Sequence, residues 1–179
     1  MEIASLYLEE TIKSFRGMKS NAEKAFAQIS EPDFHYAPDP SSNSIAILIK
    51  HLSGNMISRF TDFLETDGEK PNRDRDSEFE DENLNHDQLI AKWNQGWDCV
   101  LQAVSNLKAS DLDRTVYIRG EAHTVLRALQ RQVVHYAYHC GQIVFLCKLI
   151  RSMDFQSLSI PRGKSKEFNL RSPGEIKGK

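Results

Sequence analysis

Two histidines, His135 and His139, lie four residues apart in the last strongly apolar stretch of the chain. Between about residues 121 and 151, Gly141 is the one helix-breaking residue, so the stretch predicts a single long helix. At about 100° per residue, this spacing puts both imidazoles on one face within a single turn. Such a pair can bind a metal ion, although it lacks the intervening glutamate of a hydrolytic zinc motif.

The helix that carries this pair is apolar on two sides. On a helical wheel with His135 at zero, one apolar cluster lies near about 130° and the other near about −70°. The first contains Leu129, Val133, Tyr136, Cys140, Ile143, Val144 and Cys147, and the second contains Val134, Tyr138, Phe145 and Leu149. A helix of this kind is buried along most of its circumference. Imidazoles between the two faces need a metal, a carboxylate or a backbone partner, because an unsatisfied buried polar group costs roughly 1–3 kcal/mol.

Three further helices are predicted before this one, over about residues 3–30, 45–65 and 87–107, because apolar residues recur there at steps of three and four. Residues 35–44, rich in proline and serine, predict a turn-rich connector. Residues 67–85 are dense in both charges and predict a long solvated loop without a calcium-binding pattern. A β-branched and aromatic run at residues 115–118 predicts a short extended piece before the last helix.

His51 belongs to the second predicted helix but lies outside its apolar face. It points about 130° from the centre of that face, near Asn55 and Ser58, so periodicity by itself predicts a surface histidine. A position beside the apolar face can also look into the mouth of a helical bundle, where polar site residues gather. His86, at the end of the charged loop, is expected to be exposed.

Composition favours one domain in the cytoplasm. A chain of 179 residues with 40% hydrophobic content can bury a sizeable core. A net charge of −2 argues against general nucleic-acid binding, which needs a concentrated basic face. No apolar run is long enough to predict a membrane span, and the first residues do not resemble a signal peptide. Cys99, Cys140 and Cys147 lie in helical patterns and are expected to act as small buried hydrophobes.

The order of these elements predicts an all-α four-helix bundle, with a long crossing loop after the second helix and a short extended piece before the last. Two segments carry a family resemblance: the run from His51 to Phe60, and the pattern His-x-x-x-His-x-Gly-Gln-Ile from His135 to Ile143. With the extended piece, they resemble the DinB/YfiT-like superfamily of metal-dependent bundles over about residues 1–155. The resemblance implies that His51, His135 and His139 bind a divalent metal, commonly zinc or nickel. It replaces the surface prediction for His51.

Three neutral imidazoles leave at least one metal coordination position for water or substrate, as in a catalytic site. A metal so placed lowers the pKa of a bound water or thiol. The resemblance implies an activity, because similar proteins include transferases and isomerases that use low-molecular-weight thiols such as bacillithiol or mycothiol, in detoxification or stress response. The alternative is a non-catalytic metal or small-ligand binding protein, or an interaction scaffold. In either case Gln142, Asn55 and Tyr138 are expected beside the metal ligands, from their positions on the two helices.

Two expectations concern the whole chain. Residues 156–179 are basic and contain glycine, proline and serine, so they predict a tail that is extended or disordered unless it docks. The second apolar face of the last helix predicts a homodimer, because an exposed stripe of that length usually marks an interface. Dimers are also common in the superfamily that the chain resembles. The competing expectation is that the long first helix covers this face within one chain.

Overall fold

The computed structural model describes residues 2–167. The chain is mostly helical, with four long helices: α1 (Ile3–Phe26), α2 (Ile45–Phe60), α3 (His86–Ser105) and α4 (Val125–Arg151). A small antiparallel sheet immediately before α4 is formed by β1 (Thr115–Ile118) and β2 (Glu121–Thr124). Short 3-10 helices cover Glu31–His35, Ser77–Phe79, Ala109–Asp111 and Ser152–Asp154. α2 packs chiefly against α3, and α1 packs chiefly against α4.

An aromatic cluster joins the four helices at the centre of the core. Each helix contributes one buried ring: Phe15 from α1, Phe60 from α2, Trp97 from α3 and Tyr136 from α4. The centroids of the contacting rings lie 5.7–6.4 Å apart, and most of the pairs meet edge to face. Such pairs add about 0.5–1.5 kcal/mol beyond the burial of their area. Since Tyr136 follows His135 directly, this packing also fixes the rotation of α4 about its axis.

The predicted helix boundaries were wrong at two places that matter for the site. α2 ends at Phe60 rather than near residue 65, because the chain turns at Asp62, which has a φ of 47°. α4 begins at Val125 rather than near residue 121, because residues 121–124 pair with β1. The hydroxyl of Thr124 then caps α4 by accepting a hydrogen bond from the backbone N–H of Arg127 at 3.1 Å.

The connector of residues 61–85 is held against the rest of the protein. Asp67 accepts hydrogen bonds from the backbone N–H groups of Arg119 and Gly120, at 2.8 and 2.7 Å, in the positive-φ turn between β1 and β2. Glu69 forms ion pairs with Arg59 and Arg119, each at 2.9 Å. The prediction of a solvated loop was therefore wrong for the charges of the connector that pair within the fold. Asp74, Asp76 and Glu80 of the same connector are exposed, as predicted.

The first residues of the predicted tail dock on the end of α1. The backbone N–H of Gln156 donates to Oε1 of Gln28 at 2.7 Å, and the Gln28 side chain donates to the Gln156 carbonyl at 3.1 Å. Leu158 is partly buried against the core. The remainder of the tail prediction, over residues 168–179, lies outside the described residues.

The three cysteines are free thiols, as expected of small packing residues. Cys140 and Cys147 are buried, and Cys99 is partly buried. Burial raises the pKa of the Cys140 and Cys147 thiols to about 12, so both stay protonated at neutral pH. None of the three belongs to the cluster of histidines on α2 and α4.

By length and composition, the segment Val125–Asp154 is the one stretch of residues 2–167 that meets the criteria for a membrane-spanning helix. Within this fold, α4 buries nine of its residues, among them Leu129, Tyr136 and Ile143. Val134, Tyr138 and Phe145 remain exposed on the same helix, so core packing accounts for only part of its hydropathy. The prediction that this helix is buried along most of its circumference was therefore wrong.

Candidate metal centre

Three histidine side chains from two helices converge on one point. His51 comes from α2, and His135 and His139 come from successive turns of α4. Nε2 of His135 lies 3.4 Å from Nε2 of His51 and 3.2 Å from Nε2 of His139. His51 is buried, and the other two are half-buried.

The burial of His51 contradicts the surface position that periodicity predicts. Only 4% of the residue is exposed, because Phe79 from the connector covers the flank that the apolar pattern of α2 leaves open. The ring centroids of His51 and Phe79 lie 4.6 Å apart. The folded connector therefore makes this position part of the interior.

Hydrogen bonds at the opposite ring nitrogens set the tautomers of two of the histidines. Nδ1–H of His51 donates to Oε2 of Glu78 at 2.9 Å, and Nδ1–H of His139 donates to Oε1 of Gln142 at 2.8 Å. Each bond leaves the lone pair of Nε2 free and directed toward His135. This is the arrangement that orients imidazole ligands in metal sites.

The geometry and the protonation state of the cluster both fit a divalent metal. Zinc–nitrogen bonds of about 2.0–2.1 Å at tetrahedral angles separate two ligand nitrogens by roughly 3.3 Å, close to the spacing of these Nε2 atoms. Burial, followed by the neighbouring histidines and arginines, lowers the pKa of His135 to about 3, and burial also lowers the pKa of His139. Imidazole must be neutral to bind a metal, so the cluster could hold one ion at neutral pH.

Glu78 is the site residue that sequence reasoning missed, since its carboxylate was expected to be solvated. It is 5% exposed, and Arg73 binds it in a bidentate manner, with Nε to Oε1 at 2.7 Å and Nη2 to Oε2 at 2.9 Å. Burial by itself would raise the pKa of Glu78, but the hydrogen bonds from His51 and Arg73 lower it overall. The carboxylate is therefore ionised, and it strengthens His51 as a ligand.

Two signals in the sequence could have identified Glu78. It precedes Phe79, a large apolar residue in a connector that otherwise contains few, and such a residue indicates a docked turn. Gly54 lies one turn after His51 in the middle of α2, where a Cβ would overlap the Glu78 carboxylate. A glycine inside a helix costs about 0.5–1 kcal/mol relative to alanine, so it indicates the close approach of another group.

The three polar residues expected beside the ligands have different surroundings. Gln142 contacts His139 directly. Asn55 is buried one turn after His51, where its Oδ1 accepts hydrogen bonds from Gln132 at 3.0 Å and from the Tyr136 hydroxyl at 3.2 Å. Tyr138 is 64% exposed, and its ring meets His139 edge to face at a centroid distance of 5.1 Å.

The other histidines lie away from this centre. His86 is partly exposed, with its ring edge against Phe34. His35 binds the Asp81 carboxylate at 3.0 Å. A surface cavity of about 1000 Å³ is lined in part by Tyr7, Leu112 and Leu126 and contains none of the three clustered histidines. Because metal chemistry depends on the converging nitrogens, the histidine cluster is the better candidate for the functional site.

Comparison with known proteins identifies a family of unknown function. The family described as "Protein of unknown function (DUF1572)" matches residues 2–164. No curated protein matches the chain.

Proposed function

We propose that the histidine cluster is the functional centre of this chain, which belongs to the DUF1572 family of proteins of unknown function. His51, His135 and His139 hold one divalent metal, zinc or nickel. The protein transfers a low-molecular-weight thiol of the bacillithiol type to an electrophile, in detoxification or stress response in the cytoplasm. The observation that carries the proposal is the convergence of three imidazoles, with Nε2 of His135 at 3.4 and 3.2 Å from the other two Nε2 atoms and all the ligand atoms within 4.8 Å of one another.

The same proposal assigns the chain to the DinB/YfiT-like superfamily and its helices to a four-helix bundle. The order of the elements supports the assignment: the connector of residues 61–85 follows α2, and β1 and β2 precede α4. The positions of the histidines support it as well, with one ligand in the second helix and two in the last.

The chain's own residues orient the ligands and limit the chemistry. A metal bound there would act as a Lewis acid and lower the pKa of a coordinated thiol. Glu78 and Arg73 hold His51, and Gln142 holds His139. In the transfer, the thiol loses its proton to solvent, and the sulfur forms a bond to the electrophilic carbon as the leaving group departs with its electron pair.

One feature favours activation by the metal over hydrolysis with a carboxylate base. Oε1 of Glu78 accepts a hydrogen bond from Arg73, and Oε2 accepts hydrogen bonds from both His51 and Arg73. A general base must lie within hydrogen-bond reach of the reacting proton, whereas Glu78 binds Nδ1 of His51, the ring nitrogen turned away from the converging Nε2 atoms. The same position of Glu78 supports the second candidate function, a non-catalytic metal or small-ligand binding protein, because Glu78 holds His51 in place without taking part in a reaction.

Elemental analysis of the purified protein tests the metal centre. We expect close to one divalent metal per chain, and loss of that metal in the His135→Ala/His139→Ala variant, because a single remaining histidine binds weakly. His86→Ala is the matched control, since His86 is partly exposed and lies outside the cluster. Stoichiometric metal in the double variant would refute the site.

Cobalt substitution separates the two candidate functions. An open coordination position lets an added thiol bind the cobalt and change its absorption spectrum, whereas a saturated site gives no change. A spectral response followed by turnover with a panel of thiols and electrophiles supports the transferase. A response without turnover supports ligand binding alone.

A further inference from the structure

A second cleft, of about 640 Å³, lies between β2 and α4 and is lined by none of the three metal ligands. We call it the arginine cleft. Its polar lining consists of Glu121 and His123 from β2 and Arg127, Gln130 and Arg131 from α4, and Leu126 and Val134 supply apolar surface. Cationic and hydrogen-bonding groups on an apolar wall are typical of small-molecule sites.

The two arginines of the cleft lack anionic partners of their own. Arg127 and Arg131 are exposed and lie one turn apart on the same side of α4. Neither forms an ion pair within the described residues, unlike six other arginines. Like charges at this spacing repel each other, so an anion bound between them relieves an unfavourable interaction.

His123 forms part of the cleft wall. It is 6% exposed, and neither of its ring nitrogens has a hydrogen-bond partner within residues 2–167. The nearest carboxylate oxygen, Oε2 of Glu121, which also lines the cleft, lies 3.7 Å from Nε2, and this is beyond hydrogen-bond distance. A buried polar group of this kind usually has a partner that the protein itself does not supply.

The cleft and the metal centre follow each other along α4. Arg131 precedes His135 by one turn, or about 6 Å of helix, and Arg127 precedes it by about 12 Å. One small molecule can therefore span both places.

We propose that the arginine cleft binds an oxyanion, a carboxylate or a phosphate, on the small molecule whose reactive end reaches the metal centre. Guanidinium groups bind both kinds of anion in a bidentate manner, and two of them one turn apart can hold a single group. The substrate class is then an anionic small molecule with about 6–12 Å between the anion and the reacting atom, set by the rise of α4. Anion binding in the cleft stands by itself, whereas the link to the substrate rests on the proposed function.

Calorimetric titration of the chelator-treated, metal-free protein with inorganic phosphate and, separately, with acetate tests the cleft. We expect one saturable site for at least one of these anions. Its affinity should fall at least tenfold in Arg127→Met/Arg131→Met and stay unchanged in Arg16→Met, an exposed arginine on α1. Preference for phosphate or for acetate identifies the anionic group of the ligand. Circular dichroism confirms that the variants are folded.

The outcomes separate the cleft from the metal centre. If neither anion binds the metal-free protein, or if the double arginine variant binds as tightly as the original, the cleft assignment is overturned and the metal centre stands. Anion binding that requires added metal also overturns it, because the anion is then a ligand of the metal. Saturable anion binding in a protein that fails to retain metal supports the cleft and removes its link to the proposed function.

A separate observation concerns the exposed apolar face of α4, which begins at Val134 in the wall of the arginine cleft and continues toward the end of the helix. Val134, Tyr138, Phe145 and Leu149, the outer stripe, are 62, 64, 65 and 45% exposed. α1 packs against α4 yet leaves these side chains in solvent, so it does not cover this face. The spacings along the outer stripe are four, seven and four residues, an order that is the same in both chain directions.

This symmetry fits a second copy of the chain, and we infer a homodimer in which two α4 helices cross in antiparallel orientation. A twofold axis between Gly141 and Gln142 places Val134 against the partner's Leu149, and Tyr138 against the partner's Phe145. Contacts of this reciprocal kind are what a twofold interface requires. Gly141 lies at the crossing point and has open space around it, so the two backbones can approach closely there.

Sedimentation equilibrium at micromolar concentration tests the dimer. We expect a mass near twice the 20.5 kDa of one chain, and a mass near 20.5 kDa for Tyr138→Glu/Phe145→Glu. Tyr117→Glu, which changes an exposed tyrosine of β1, should leave the dimer intact. A monomeric original protein, or a double variant that remains dimeric, would overturn the inference.

Discussion

At the scale of single residues, the proposed centre depends on the groups behind the ligands. Glu78 holds His51, and Arg73 holds Glu78, so the position of one imidazole depends on a buried ion pair. Groups of this kind typically contribute 10–100-fold to metal affinity. The energetic role of Glu78 can therefore be measured without removing any ligand.

Glu78→Gln should weaken metal binding by about 10–100-fold, because the neutral amide is a poorer acceptor for Nδ1–H of His51 and leaves Arg73 without its ion pair. Competition with a chromophoric chelator measures the affinity. Glu80→Gln, an exposed neighbour two residues away, is the control and should bind metal normally. Equal affinities for the two variants would contradict the role of Glu78 in orienting His51.

Gln142 and Asn55 should respond differently to alanine substitution. Gln142→Ala removes the partner of Nδ1 of His139 and is expected to lower metal affinity. Asn55→Ala removes the acceptor shared by Gln132 and Tyr136, so it should destabilise the fold by about 1–3 kcal/mol. Chelator competition and urea unfolding measure the two effects. If both variants keep the original affinity and stability, Gln142 does not orient His139 and Asn55 does not stabilise the core.

At the scale of secondary structure, the position of His51 depends on how closely α2 approaches α3. Gly96 of α3 faces Ser53 of α2, and a Cβ at Gly96 would lie 2.9 Å from Cα of Ser53. A separation this short forces the two helices apart. The hydroxyl of Ser53 donates to the carbonyl of Lys92 at 2.8 Å, and this bond would be strained by the same movement.

Gly96→Ala should therefore destabilise the protein by about 1–3 kcal/mol, the usual cost of overpacking. Gly17→Ala on α1 is the matched control, because its added Cβ meets nothing within 4 Å. That substitution should stabilise the fold by about 0.5–1 kcal/mol, since alanine favours a helix interior. Urea unfolding of both variants checks the opposite signs, and a Gly96→Ala variant as stable as the original would refute the close crossing.

At the scale of the whole molecule, the connector of residues 61–85 is fixed to the helices, whereas the last described residues, 159–167, are exposed. The Arg73 side chain is 5% exposed and is paired with Glu78, whereas Arg162, Lys164 and Lys166 are exposed. Proteolysis needs local opening of the chain, and opening the connector would break its buried ion pairs.

Among the described residues, limited trypsin digestion should therefore cut first after Arg162, Lys164 or Lys166. These cuts leave a large fragment that starts at the original N-terminus. Intact-mass spectrometry over the time course identifies the products. The fragment should retain metal, because all three ligands precede the cuts. An early cut after Arg73 would show that the connector opens readily and does not hold His51 in place.

The sequence by itself determined the features that depend on neighbours within about one helical turn. The four helices follow from apolar residues at three- and four-residue steps, and the placement of His135 and His139 on one face follows from helix geometry alone. The exposed outer stripe was also visible as a second apolar face of the last helix, although the dimer remains a prediction.

Tertiary structure decided what periodicity could not. His51 is buried because Phe79 and Glu78, far along the chain, fold back over it, and no local pattern specifies where a connector docks. A dense run of charges is solvated unless each charge meets a partner of opposite sign, and those partners become neighbours only in the folded protein. For the same reason Glu78, which the sequence presents as one carboxylate among many, becomes the group that orients His51.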